Sequence, residues 1–140
     1  MGEDQTFGIK VERICKHRDV AVCSIVVDNG DTPPETCIEK SEKSLDLQDV
    51  VKLLGFPAYA PGHSHYIADS KIARIYPASA VKKFEIDHPI REGNSGGPII
   101  NTDSKVVGMA LEGATKESGH NGCLLLSEIE EVLNASKYDT

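Results

Sequence analysis

The feature that most constrains the fold of this chain is a series of short apolar runs separated by turn residues. Six such runs follow residue 46, and they cover 50–54, 66–76, 81–86, 98–100, 105–111 and 123–126. Short apolar runs with Gly, Pro, Asn and Asp between them predict an all-β fold, and six of them fit a small antiparallel barrel. An earlier run, 20–27, is almost continuously apolar, which predicts a strand buried on both faces.

Composition divides the chain into four parts. Residues 1–27 carry strand-like patterns, whereas 28–46 is rich in Asp, Glu, Lys, Ser and Pro and contains strong breakers, which predicts a linker. The barrel is predicted over 47–126, and 127–140 is predicted to hold a helix and a tail. Within the last part, Ser127 and Glu130 have the spacing of a capping box, with Ser127 as N-cap. The side chains Ile129, Val132 and Leu133 then form one apolar stripe.

The net charge of −7 argues against binding to nucleic acid or to an anionic membrane, because both need clustered Lys and Arg. No apolar run approaches the roughly 20 residues that span a bilayer. The acidic segment 1–5 contains no apolar stretch of a secretory signal, so a reducing, cytoplasmic compartment is expected.

The four cysteines contain no C-x-x-C pair, so neither a zinc site nor another metal or cofactor is expected. Cys15 and Cys23 lie inside apolar runs, and we predict that they are buried free thiols.

The chemistry of the chain is concentrated in the segment Gly93-Asn94-Ser95-Gly96-Gly97-Pro98. A serine hydroxyl is a weak nucleophile, and an enzyme that uses one needs a base, a partner for that base, and donors for the developing oxyanion. Glycines beside the serine permit positive φ and can turn two N–H groups toward one point. The pattern predicts Ser95 as a nucleophile, with Gly93, Asn94 and Ser95 around an oxyanion hole.

This segment, followed by Ile99-Ile100-Asn101 and Val106-Val107-Gly108-Met109, resembles the trypsin-like serine proteases and most of all their HtrA (Deg) branch. The stretch 53–57 resembles the first strand of the family's second barrel. The resemblance implies a two-barrel fold with a complete C-terminal barrel, a partial N-terminal barrel and a short C-terminal helix. Residues 1–27 then correspond to remnant strands of the first barrel, and 28–46 to the link between the barrels.

The segment Asp19-Val20-Ala21-Val22 matches the motif that holds the family's acidic catalytic residue. The resemblance implies that Asp19 is a buried carboxylate that accepts the N–H of the catalytic base and fixes its tautomer. In the family that base is a His several strands before the acid. His17 is the one His before Asp19 in this sequence, and it lacks the family's surroundings, so the base role is not carried onto it.

Three explanations for the missing base stay open. The chain is part of a longer enzyme, or an inactive homologue, or a protein completed by another chain. Strands missing from the first barrel would leave an open sheet edge and an apolar face, which predicts self-association or partner binding.

The resemblance also implies where a polypeptide would bind. Leu111, Glu112 and Gly113 fall on the strand that pairs with the substrate backbone, and 88–94 forms the opposite wall of the primary pocket. Pro89 falls at the base of that pocket, and since it is not Asp, a small or medium apolar substrate residue is expected. The predicted function is a serine endopeptidase that acts through an acyl-enzyme and is inactive as this chain. The alternative is a catalytically silent module that binds a peptide or protein.

Overall fold

The computed structural model describes residues 7–28, 30–34, 37–57, 60, 62–114 and 120–135. The elements are β1 (Gly8–Cys15), β2 (Val20–Val26), β3 (Val50–Gly55), β4 (Tyr66–Ala78), β5 (Val81–Ile86), β6 (Pro98–Ile100), β7 (Val106–Glu112), β8 (Asn121–Leu125) and α1 (Leu126–Asn134). No helix in these ranges is both long enough and apolar enough to cross a membrane.

Strands β3 to β8 form a closed barrel in the order β3-β4-β5-β8-β7-β6, and every neighbouring pair is antiparallel. The predicted six-stranded barrel is therefore confirmed. It closes between β3 and β6, where Leu53 lies opposite Ile99. Both side chains are fully buried, as are Ile72 and Phe84 from β4 and β5. In β3, for example, every second residue is buried, and this alternation directs apolar side chains into the barrel.

The interior is packed closely enough that glycine is needed at one position. Gly108 on β7 faces the ring of Phe84, and a Cβ atom at this position would lie 2.4 Å from Phe84 Cε1 and 2.5 Å from the carbonyl oxygen of Leu124. The barrel thus has no room for one extra methyl group here. Cys123 is also fully buried, and this burial raises the pKa of its thiol to about 12.

Strands β1 and β2 form a separate two-stranded hairpin. The prediction that 20–27 is buried on both faces is wrong, because β2 is buried only at Val20 and its side chains from Cys23 to Val26 are exposed. Cys23 is an exposed free thiol, whereas Cys15 is buried as predicted. The physical reason is that one face of the hairpin packs near α1, while no described residue covers the other face.

The hairpin is tied to the barrel through buried charge. Glu128 of α1 is 5% exposed, and its carboxylate accepts hydrogen bonds from Arg18 Nε at 2.7 Å and from the N–H of Lys82 at 2.9 Å. Burial opposes ionisation of Glu128, but these donors outweigh it, so the pKa of this carboxyl is lowered. Arg13 donates to the carbonyl of Val132 near the end of α1. These contacts place the turn between β1 and β2 against the barrel.

The predicted linker runs along the barrel at the start of β7. The N–H of Val106 donates to the carbonyl of Glu39, and its carbonyl accepts from the N–H of Ser41, both at 2.8 Å. Lys40 thereby forms a parallel bridge with Val106. A segment that reads as polar linker therefore has a defined path in this part.

Helix α1 begins at Leu126, directly after the last residue of β8, so the capping box predicted at Ser127 is wrong. The N-cap is Leu125, and no side chain caps the helix. Because strand leads directly into helix, Ser127 already lies within the first turn, and Glu130 pairs instead with Lys40 at 3.1 Å. Of the predicted apolar stripe, Val132 is buried, whereas Leu133 is 50% exposed.

We predict that Gly108→Ala lowers the free energy of unfolding by about 3 kcal/mol, because the added methyl group meets Phe84 and a backbone oxygen. The matched control is Gly122→Ala on the neighbouring strand, where the nearest atoms to an added Cβ lie at an ordinary 3.5 Å. Urea unfolding of the two variants and the parent measures the difference. Equal stability of the two variants would contradict the close packing at Gly108.

Candidate active site

The loop before β6 is held against the end of β3 by a close backbone contact. Gly93 and Gly96 have positive φ values of 96° and 86°. The N–H of Phe56 donates to the carbonyl of Gly93 at 3.0 Å. A Cβ atom at Gly93 would lie 2.3 Å from the carbonyl oxygen of Phe56, so both the φ angle and the space require glycine.

The backbone amides of the loop fall into two groups. The N–H groups of Asn94, Gly96 and Gly97 donate to the carbonyls of Arg91, Ala110 and Asn94, at 2.9, 2.7 and 2.9 Å. The N–H groups of Gly93 and Ser95 have no backbone acceptor in the described part of the chain. Two unfilled donors thus lie two residues apart beside the Ser95 hydroxyl.

The Ser95 side chain is exposed, and its hydroxyl donates to the carbonyl of Leu111 at 2.9 Å. Within the described residues no histidine hydrogen-bonds to it. Nε2 of His17 lies 2.8 Å from the carbonyl of Ser79, and Nδ1 of His88 lies 2.8 Å from that of Pro89. The arrangement brings Ser95 to the end of β7 but supplies no base among the described side chains.

Asp19 differs from the buried carboxylate that was expected. It lies in the turn between β1 and β2, with a φ of 57°, and it is exposed. No side-chain hydrogen bond or ion pair of Asp19 is present among the residues that the structure describes. Its neighbour Val20 is buried, so the strand start is anchored while the carboxylate itself faces outward.

Asn94 has a side chain that points into the protein. It is 0% exposed, and both atoms of its amide group lack a hydrogen-bond partner among the described residues. A Cβ atom at Gly55 would lie 2.5 Å from Asn94 Oδ1, so the amide packs directly on the backbone of β3. The side chain therefore lies behind the loop, and no part of Asn94 is exposed at the outer surface.

Asn121 joins the two predicted walls of the primary pocket, a role that no pattern in the sequence indicates. Its Oδ1 accepts from the N–H of Ile90 and from the N–H of Ala114, both at 3.0 Å. Gly113 packs on the same wall, since a Cβ there would lie 2.1 Å from the carbonyl oxygen of Ile90. Only the register of β8 against β7 brings this amide between the walls.

Pro89 and Glu112, which the sequence assigned to substrate binding, are both exposed beside these walls, while Leu111 is half-buried.

A cavity of about 620 Å³ borders the loop on the side of β3 and β4. It is lined by Phe56, Pro57, Tyr66, His88, Arg91, Glu92, Gly93 and Asn94. It shares the 88–94 wall with the expected primary pocket, but no described residue of 111–114 lines it, so it is not the space between those two walls. Across the described ranges, the cavity included, no three His, Cys, Asp or Glu side chains are placed to hold a metal ion.

The approach to the loop is anchored by Asp87. Its Oδ1 accepts from the Ser70 hydroxyl at 2.7 Å and from the N–H of Lys71 at 3.0 Å. The Ser70 oxygen accepts in turn from the N–H of His88 at 3.0 Å. The Ser70 hydroxyl and the Lys71 amide together lower the pKa of the Asp87 carboxyl.

One closed six-stranded barrel with a hairpin and a C-terminal helix matches part of a trypsin-like fold, and comparison with known proteins agrees. The family model described as a trypsin-like peptidase domain matches residues 2–109. The chain therefore belongs to the trypsin-like peptidase family. A probable periplasmic serine endoprotease, DegP-like, from Halomonas elongata is 30% identical over 122 residues. That alignment covers 84% of this chain and 24% of the relative, so the chain spans about a quarter of its length. The resemblance to the HtrA (Deg) branch is thus confirmed.

Solved structures share the fold at lower identity. The active form of the Rv3671c protease from M. tuberculosis is 20% identical, with a TM-score of 0.75 over 97% of this chain and 63% of that one. The HtrA-type protease AlgW, solved with a decapeptide, is 19% identical, with a TM-score of 0.70 over 89% of this chain and 39% of its own. In both cases a large part of the relative has no counterpart here.

We predict that Asp87→Asn lowers the free energy of unfolding by about 1 kcal/mol at pH 7, because the exposed carboxylate loses its charge-assisted bonds. A carboxyl whose folded pKa is lowered stabilises the protein above its unfolded pKa of about 4, and this stabilisation is lost as the pH falls through the folded pKa. The difference between parent and variant should therefore shrink below about pH 4. Urea unfolding across this range measures it.

The control is Asp69→Asn, which removes an exposed ion pair with Lys52 on the neighbouring strand and should cost little. A difference between parent and Asp87→Asn that stays constant down to pH 2 would show that the charge of Asp87 does not act as described.

Proposed function

We propose that this chain carries the nucleophile and the oxyanion-binding loop of a serine endopeptidase that acts through an acyl-enzyme. The observation that carries the proposal is the pair of unfilled N–H groups at Gly93 and Ser95, beside an exposed hydroxyl. The amides of Asn94, Gly96 and Gly97 are engaged in hydrogen bonds, and Gly93 has a positive φ. Because the fold leaves these two exposed donors without a protein acceptor, they are free to bind an oxyanion, which supports a catalytic role.

In this mechanism the Ser95 oxygen attacks the carbonyl carbon of a peptide bond, and its proton passes to a base. The carbonyl oxygen becomes an oxyanion that accepts from the N–H groups of Gly93 and Ser95, with the Asn94 backbone between them. The C–N bond then breaks as the base returns the proton to the leaving amine, and water later releases the acyl group from Ser95. Removing one such donor typically costs about 10²–10³ in rate.

Asp19 is proposed as the residue that orients the base, which then comes from polypeptide outside the described residues. The outward face of the β1–β2 hairpin supports this view. Its side chains alternate with those facing α1 and are all apolar: Ile9, Val11, Ile14, Ala21, Cys23 and Ile25. An apolar face of this size is normally covered. A further β layer would cover it and enclose Asp19, and the matched solved structures contain additional chain.

The substrate proposed for the site is a polypeptide that pairs with the end of β7. Glu112 and Gly113 lie just beyond the residues that bond to the loop, and Ser95 reaches Leu111 on the same strand. The AlgW structures with a decapeptide and a tripeptide support a peptide ligand for this fold. Pro89 beside the walls supports a small or medium apolar residue before the scissile bond.

A second candidate is a catalytically silent module that binds a peptide at the same strand. The hydrogen bond from Ser95 to Leu111 favours it, because this bond occupies the hydroxyl proton without a base. In such a module Ser95 has no role in binding, and peptide affinity would be the same in Ser95→Ala. Self-association through the hairpin face is compatible with either candidate.

The deciding experiment measures labelling of Ser95 by a fluorophosphonate, with and without added imidazole as an external base. We expect slow labelling that imidazole accelerates several-fold, and none in Ser95→Ala, because the loop stabilises the transition state once a base is present. Asp19→Asn should reduce the acceleration if its carboxylate orients the imidazole. The control variant Asp31→Asn neutralises another exposed acid and should leave the acceleration intact.

Failure of Ser95 to react even with imidazole would refute the enzymatic role and leave the binding module.

A further inference from the structure

The cavity beside Gly93 has walls of exposed aromatic rings. Phe56 and Tyr66 are each 45% exposed although they are among the largest apolar side chains of the chain. The His88 ring is tilted against Tyr66 with centroids 6.1 Å apart, and the His65 ring meets Phe56 edge-on at 6.4 Å. Large rings that stay exposed at the wall of a cavity mark a surface that a ligand covers.

The cavity lies on the opposite side of the nucleophile loop from β7. Ser95 contacts the carbonyl of Leu111 on one side, whereas Gly93 contacts the carbonyl of Phe56 on the other. The proposed function places the acyl part of a substrate along Glu112 and Gly113. The segment on the carboxyl side of the scissile bond, which leaves as the amine, must then cross Gly93 toward this cavity. The geometry therefore separates two binding regions on either side of one loop.

The charges at the cavity favour a neutral ligand group. Arg91 and Glu92 both line it and carry opposite signs, so they cancel at its rim. The other lining residues are uncharged or aromatic, namely Phe56, Pro57, Tyr66, His88, Gly93 and Asn94, and the volume of about 620 Å³ lies within the range of ligand pockets. An uncharged ring can pack edge-to-face on Phe56 and Tyr66.

We propose that this cavity binds an aromatic side chain of the polypeptide on the carboxyl side of the scissile bond. The inference rests on the proposed function for its direction along the substrate. It adds a substrate class: peptides with Phe, Tyr or Trp shortly after the bond to be cleaved. Phe56 and Tyr66 are its specificity-determining residues, and the loop at Gly93 lies between this ring and the nucleophile.

The test measures peptide binding by fluorescence anisotropy in Ser95→Ala, so that no cleavage occurs. A series of labelled octapeptides of alanine and serine carries a single Phe at each position in turn, with the same peptide without Phe as reference. We expect Phe at one position in the carboxyl-terminal half to tighten binding about three- to tenfold. In the same background, Tyr66→Ala and Phe56→Ala should remove this gain.

The matched control is Ile67→Ala, which truncates a neighbouring side chain on β4 that is 51% exposed but does not line the cavity. It should keep the full gain from Phe. If Tyr66→Ala or Phe56→Ala fails to fold, Tyr66→Leu removes the ring while retaining apolar bulk, and it should also lose the gain.

The inference is overturned if Phe tightens binding equally in the variants without the rings, or if Phe tightens binding at no position. Neither result affects the labelling of Ser95, which tests the proposed function. The two tests can also disagree in the other direction. If the cavity variants remove the gain from Phe but Ser95 never reacts with the fluorophosphonate, the enzymatic role is refuted instead. The aromatic site would then belong to the binding module.

Discussion

The site depends on the close approach of two backbones at Gly93 and Phe56. Because glycine has no side chain, the loop before β6 can lie directly on the end of β3, where the Phe56 amide bonds to the Gly93 carbonyl. This contact directs the Gly93 carbonyl toward β3, and the Asn94 side chain beside it is buried behind the loop. Barrel closure between β3 and β6 then holds both partners of the contact in place.

The hairpin outside the barrel is held by a different kind of interaction. Glu128 is almost fully buried and ionised, and it is stabilised by the guanidinium of Arg18 and the backbone amide of Lys82. Removing one partner of such a pair leaves an uncompensated buried charge, which is strongly destabilising. The hairpin is thus positioned by charge on its inner side, whereas no described residue covers its apolar outer face.

Some expectations failed because periodicity cannot say what lies on either side of a strand. The apolar run 20–27 predicts burial on two faces, yet β2 has a neighbour on only one. The capping pattern at Ser127 failed because β8 continues directly into α1, a junction that local preference does not encode. Asn121 was missed for a related reason. Its amide bridges two loops that are distant in sequence, and only strand register brings them together.

The sequence by itself determined the all-β class, the six strands of the barrel and the loop around Ser95, because strand alternation and glycine-rich turns are local properties. It also carried enough of the family pattern to indicate a trypsin-like peptidase. Only the tertiary structure decided which amides of the loop stay unfilled, that Asp19 faces outward, and that aromatic rings line a cavity beside Gly93. Each of these depends on contacts between segments far apart along the chain, and such contacts leave no periodic signal in the sequence.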